Sequence, residues 1–185
     1  MKYLLTLFIS FVVLSSFGQK TSVFTTESGR IDFESNAPLE LIKAGSSHLK
    51  GALDTTNNAV LFILENRTFK GFNSPLQQEH FHENYMESKK YPRSTFQAKI
   101  IEPLNWISGT TQQIRAKGIL DIHGIKQERI INVRLQYEEN QVNVNADFEI
   151  ALEEHKIRIP KVVSKKIAPV ITIKIEAKLK HQTKQ

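Results

Sequence analysis

The stretch VITIKIEAKLK near the C-terminus limits what this chain can fold into more than any other feature. Ile171, Ile173, Ile175, Ala177 and Leu179 share one parity, and Thr172, Lys174, Glu176, Lys178 and Lys180 share the other. Successive side chains of a β-strand point to opposite faces, so the segment is a strand with one dry face and one wet face. The same parity places Val142, Val144, Ala146, Phe148 and Ile150 opposite Asn143, Asn145, Asp147 and Glu149, and aligns Ile131, Val133, Leu135 and Tyr137 in the run before it. The short polar link Glu138-Glu139-Asn140-Gln141 makes a hairpin of those two runs. Further upstream Ala116, Gly118, Leu120 and Ile122 alternate, His123-Gly124 turns the chain, and Phe96, Ala98 and Ile100 alternate likewise. Weaker strand patterns cover 30–36, 49–54 and 59–64. The sum is about eight strands, mostly in antiparallel meanders, with one substantial helix.

So many one-sided strands with so little helix to cover them must turn their dry faces toward each other, in a sandwich or a closed barrel. An eight-stranded barrel is just wide enough inside to be filled by side chains or to hold one slender ligand. Parity puts Phe96, Ile100, Leu120, Val144, Phe148 and Ile173 on the inward side without deciding between those two outcomes. In a hollow barrel, Ala146 is a deep position where a larger side chain should block a ligand and leave the fold intact.

The helix lies in SPLQQEHFHENYMESKKYP. Ser74 as N-cap, Pro75 at the first helical position and Gln77 three residues after the cap predict a helix from about Pro75 to Ser88. His80 and His82 would then point about 200° apart and could not grip one metal. Zinc wants three or four ligands, so the spacing calls for no metal. Phe81 and Tyr85 fall on one side at i, i+4, with Phe69 and Phe72 shortly before. These aromatics either plug one end of a barrel or form the mouth of an apolar tunnel. No nucleophile elbow, zinc-protease motif or glycine-rich phosphate loop is present, and nothing calls for a cofactor.

The first residues, MKYLLTLFISFVVLSSFGQK, combine Lys2, an apolar run from Leu4 to Val13, and small residues at Ser16 and Gly18. This is the pattern of a secretory signal over residues 1–18 with cleavage near Gly18, leaving 19–185 as one exported domain in the periplasm or outside the cell. Cysteine is absent, so the exported chain must be held by its apolar core. The net charge is +6. The cations are scattered on alternate strand positions, with no basic helix, which speaks against nucleic acid as a partner. Transient contact with an anionic membrane surface is a better use of the charge, and a merely solvated surface is commoner still.

HFHENYMESKKYPRSTF followed by GILDIHGIKQERIINV resembles the YceI-like family of exported bacterial proteins, with Tyr91-Pro92, Phe96, Gly118, Leu120, Ile122, Gly124, Ile125 and Lys126 in register. His48-x-x-Gly51-x-Leu53 and the closing RIPKVVSKKIAPVITIKI extend the resemblance over nearly the whole mature chain. It implies a lipocalin-like antiparallel eight-stranded β-barrel with an apolar interior, in a family whose members hold long polyisoprenoid lipids or isoprenoid quinones. The implied role is a carrier or reservoir for an isoprenoid-type lipid, with Phe69, Phe72, Phe81, Tyr85, Phe96, Ile100, Leu120, Val144, Phe148 and Ile173 as the candidate tunnel lining. Many members have Asp-x-His-Leu and a Phe-Phe pair before Tyr-Pro, where this chain has Glu79-His80-Phe81 and Tyr85-Met86. That variant and the signal ending Phe-Gly-Gln-Lys resemble the Bacteroidetes branch. Two rival readings are a secreted lipid-acting enzyme using His80 or His123 for proton transfer, and a packed barrel serving as an interaction scaffold.

Overall fold

In the computed structural model, which describes residues 23–182, eight antiparallel strands close into one barrel in chain order. They are β1 (Val23–Ala37), β2 (Glu40–Asp54), β3 (Ala59–Glu65), β4 (Arg93–Ile100), β5 (Thr111–Ile122), β6 (Ile125–Glu138), β7 (Gln141–Ala151) and β8 (Val170–His181). The expected signal segment lies outside the described residues. Closure comes from β1 pairing with β8, Phe33 opposite Ile173 and Ile31 opposite Ile175. Because strands alternate in direction, connections 38–39, 66–92, 123–124 and 152–169 gather at one end and 55–58, 101–110 and 139–140 at the other.

The weak pattern over 59–64 is β3 itself, and the patterns over 30–36 and 49–54 are the visible parts of longer strands. β1 and β2 run 15 residues each, and their polar stretches hid the rest. The turn between β5 and β6 has His123 at φ 54° and Gly124 at φ 70°, the two positive values of a type I′ turn, whose twist matches that of the flanking strands. Gly51 serves a close approach instead: a Cβ there would sit 2.4 Å from the ring of Phe62, its partner across β2 and β3.

The inward faces form two clusters. At one end Phe24, Leu135, Val142, Val144 and Leu179 belong to a close-packed core. Trp106 from 101–110 seals it, stacked 5.8 Å from Phe24 and edge-on at 5.2 Å to Tyr137. Gln112 clamps that loop through both the N–H and the carbonyl of Asn105. The Arg115 backbone N–H and guanidinium hold the Glu102 carboxyl below its ordinary value. At the other end Phe33, Ile42, Leu64, Leu120, Ile150 and Ile173 form the second cluster, roofed by 66–92 and 152–169. Among the described residues no helix is long and apolar enough to cross a membrane.

Candidate ligand-binding site

The roof begins where the sequence places it. Ser74 Oγ accepts the Gln77 N–H at 3.1 Å, and Gln77 Oε1 accepts the Asn73 N–H at 3.0 Å, so the cap starts helix α1 (Pro75–His80). The helix does not continue with α geometry to Ser88. Phe81–Tyr85 forms one π turn, in which the Met86 N–H bonds the Phe81 carbonyl at 2.8 Å, and Glu87 then takes φ 43° and ends it. The competing interactions are tertiary. Phe81 stacks on Phe33 at 5.4 Å, and Glu87 reaches His123 Nε2 at 2.7 Å, which a regular helix to Ser88 is not built to serve.

Beneath this roof lies a cavity of about 360 Å³. Phe69, Phe72, Phe81, Tyr85, Phe96, Leu120, Phe148 and Ile173 all line it. Phe33, Phe69, Phe72 and Phe81 also pack on one another, with ring centroids 4.9–5.9 Å apart. The aromatics thus act both as a plug against β1 and as one wall of the cavity. Burial pushes the Tyr85 hydroxyl above its ordinary pKa, as an apolar wall should.

Ile100 and Val144 are inward, as parity requires, but lie in the packed half. They border a separate void of about 40 Å³ with Ala146, so the site of the proposed blocking substitution is also outside the main cavity. Phe62, Phe96, Ile131, Phe148 and Ile175 line both spaces and form the waist between them. The sequence reading missed Phe33 and Phe62. Alternation in Ile31, Phe33 and Ser35 carried a usable signal for the first, whereas Val163, Lys166 and Ile167 reach the cavity from an irregular connection with no periodicity to read.

Polar groups keep to the rim. Glu40 Oε1 accepts Gln77 Nε2 at 2.9 Å, tying α1 to the start of β2. Ser35 Oγ accepts the Ala168 N–H at 2.9 Å, tying 152–169 to β1. The fully buried Asn66 behind the roof is satisfied by Tyr91 O, Ser94 Oγ and Pro92 O, so it presents no free polar group to the cavity. His80 stands at the rim, whereas His82 turns to Ser88 Oγ at 3.2 Å. Burial, and then the Arg67 charge, push the His82 pKa down. His123 sits off the cavity between Glu87 and the His155 carbonyl, 3.1 Å from Nδ1. No group of three or more His, Asp or Glu able to hold a metal occurs among the described residues.

A YceI-like domain model matches residues 9–179. The chain belongs to the YceI-like family. Solved structures agree with this YceI-like chain in fold. A polyisoprenoid-binding domain from Saccharophagus degradans implicated in plant cell wall breakdown superposes with TM-score 0.74 at 11% identity, over 88% of this chain and 100% of that one. BcnA of Burkholderia cenocepacia gives 0.67 at 12%, over 82% and 95%. The YceI protein of Campylobacter jejuni gives 0.56 at 13%, over 71% and 78%. No match is found among curated proteins.

Proposed function

We propose that this YceI-like protein is an exported carrier or reservoir that holds the end of an isoprenoid-type lipid, a polyisoprenoid or an isoprenoid quinone, inside the barrel. The observation that carries the reading is the largely apolar cavity of about 360 Å³ at one end of an otherwise packed barrel. The polyisoprenoid-binding domain of Saccharophagus degradans, built on the same fold, supports the choice of ligand class. Export is supported by the signal-like N-terminus, and a carrier needs no catalytic residue.

The volume sets how much chain fits. A 150 Å³ cavity accommodates benzene, about 25 Å³ per carbon, so this cavity takes about 14 carbons or about three isoprene units. At about 0.8 kcal/mol per buried carbon the gross gain is about 11 kcal/mol before the costs of association. A longer chain protrudes through the rim, or enters the lower void once Phe62, Phe96 and Phe148 rotate aside. Organic extraction of the purified protein followed by mass spectrometry tests the reading: a stoichiometric isoprenoid supports it. A clean extract, together with no uptake of added farnesol or menaquinone, overturns it.

A further inference from the structure

The connections at the two ends of the barrel differ in charge, while exposed aliphatic side chains occur at both, Ile101 and Ile107 at the sealed end among them. Around the cavity, 66–92 carries four Lys and Arg against three Glu, and 152–169 carries five against two. At the sealed end the connections carry Glu102 and Glu139 and no Lys or Arg. The five cations of 152–169 are Lys156, Arg158, Lys161, Lys165 and Lys166, and the ion pairs among the described residues leave all of them out.

Large apolar side chains stand between these cations. Val162 is 88% exposed, Leu39 68% and Leu76 58%, one from each of the three segments that frame the rim. The segments are joined: the Leu39 N–H bonds the Lys165 carbonyl at 2.9 Å, and Gln77 holds Glu40. Leu76 and Lys166 themselves line the cavity, so the apolar interior continues to the surface at this place. Interleaved lysines and solvated aliphatics around an apolar opening fit a headgroup boundary. Aliphatic side chains gain there by leaving water, while lysine stems reach out to anionic groups.

We propose that the open end of the barrel docks on an anionic lipid bilayer, with Val162, Leu39 and Leu76 entering the boundary between headgroups and acyl chains and Lys161, Lys165 and Lys166 against the headgroups. Docking places the cavity mouth against the hydrocarbon, so a lipid moves between bilayer and barrel without crossing water. That last step rests on the carrier reading, whereas docking itself does not. Glu40 is the acid among the cavity-lining residues, and it is engaged by Gln77 and Asn73.

Flotation of the purified protein with vesicles tests the proposal. Binding is expected to phosphatidylcholine vesicles containing phosphatidylglycerol, not to phosphatidylcholine alone, and to fall at about 0.5 M salt, where screening shortens to a few ångström. At about 1 kcal/mol per surface lysine, Lys161→Gln with Lys165→Gln should weaken binding about 30-fold at low salt. Lys178→Gln with Lys180→Gln removes the same charge from the other end of β8 and should leave binding unchanged. Val162→Asp should weaken binding on its own. Equal affinity for both vesicle types, or equal loss from the two double variants, overturns docking. So does a wild type that floats with neither vesicle but forms a dimer broken by Val162→Asp. Farnesol uptake without vesicles, followed by mass spectrometry of the protein-bound fraction, separates the two ideas. Uptake without flotation overturns docking and leaves the carrier, and flotation without uptake does the reverse.

Discussion

The sealed and open ends of the barrel use the same strands and the same inward alternation, yet one is packed and the other hollow. At the sealed end 101–110 sends Trp106 onto Phe24 and Tyr137, and the inward residues leave only about 40 Å³ empty. At the open end Phe69, Phe72 and Phe81 come from a connection that lies across the rim and roofs about 360 Å³ without filling it. The lesson is that a loop's path, more than the strand pattern, decides whether a barrel of this size has an interior.

The largest effect that sharpens this contrast is expected at Val144, buried in the packed half. Val144→Asp strands a charge there and should cost about 3–5 kcal/mol, while Asn145→Asp, on the outer parity, should stay within about 0.5 kcal/mol. Equal costs by denaturant unfolding would break the assignment of faces.

Next is truncation. Leu135 is 1% exposed and borders only the small void, so Leu135→Ala should cost about 2–5 kcal/mol. Leu120 borders the cavity and has fewer atoms to lose contact with, so Leu120→Ala should fall near the low end of that range, about 2 kcal/mol. A reversed order would mean that the cavity collapses in solution.

Enlargement separates the two halves further. Ala146→Phe in the packed half should destabilise the ligand-free protein by about 1–3 kcal/mol, because the void beside it is smaller than the added ring. Ile150→Trp extends into the main cavity, so calorimetry of the stripped protein should show less than about 1 kcal/mol, with farnesol uptake abolished.

The smallest effect is on pH. His155 is fully buried under the open end, its Nδ1–H donating to the Ile125 carbonyl at 3.2 Å and its Nε2 unpartnered. Burial is the main cause that lowers its pKa. The Ile125 and Ile122 carbonyls oppose this in part, the smaller effect of the Arg129 charge lowers the pKa further, and Glu154 opposes least. Below the ordinary value of 6.5 the unfolded chain takes up a proton that folded His155 resists. Stability should therefore be complete above pH 6.5 and decline as pH falls below it, with His82 adding in the same direction. His155→Gln should flatten that slope in melting temperature against pH.

The sequence by itself determined which face of each strand is dry, the hairpins at Glu139-Asn140 and His123-Gly124, and the capped start of α1. Each of these depends on residues within a turn or two of one another. It also showed Phe81 and Tyr85 on one side of the helix, because i and i+4 are local. Only the tertiary structure decided that Ile100, Val144 and Ala146 belong to the packed half while Leu120, Phe148 and Ile173 face a cavity. The same holds for the π turn that seats Phe81 on Phe33, and for the lysines of 152–169 that surround the rim. Parity says only that a side chain points inward. Whether it meets another depends on distances across the barrel, and those are fixed by the closure of β1 on β8 and by connections far away in the chain.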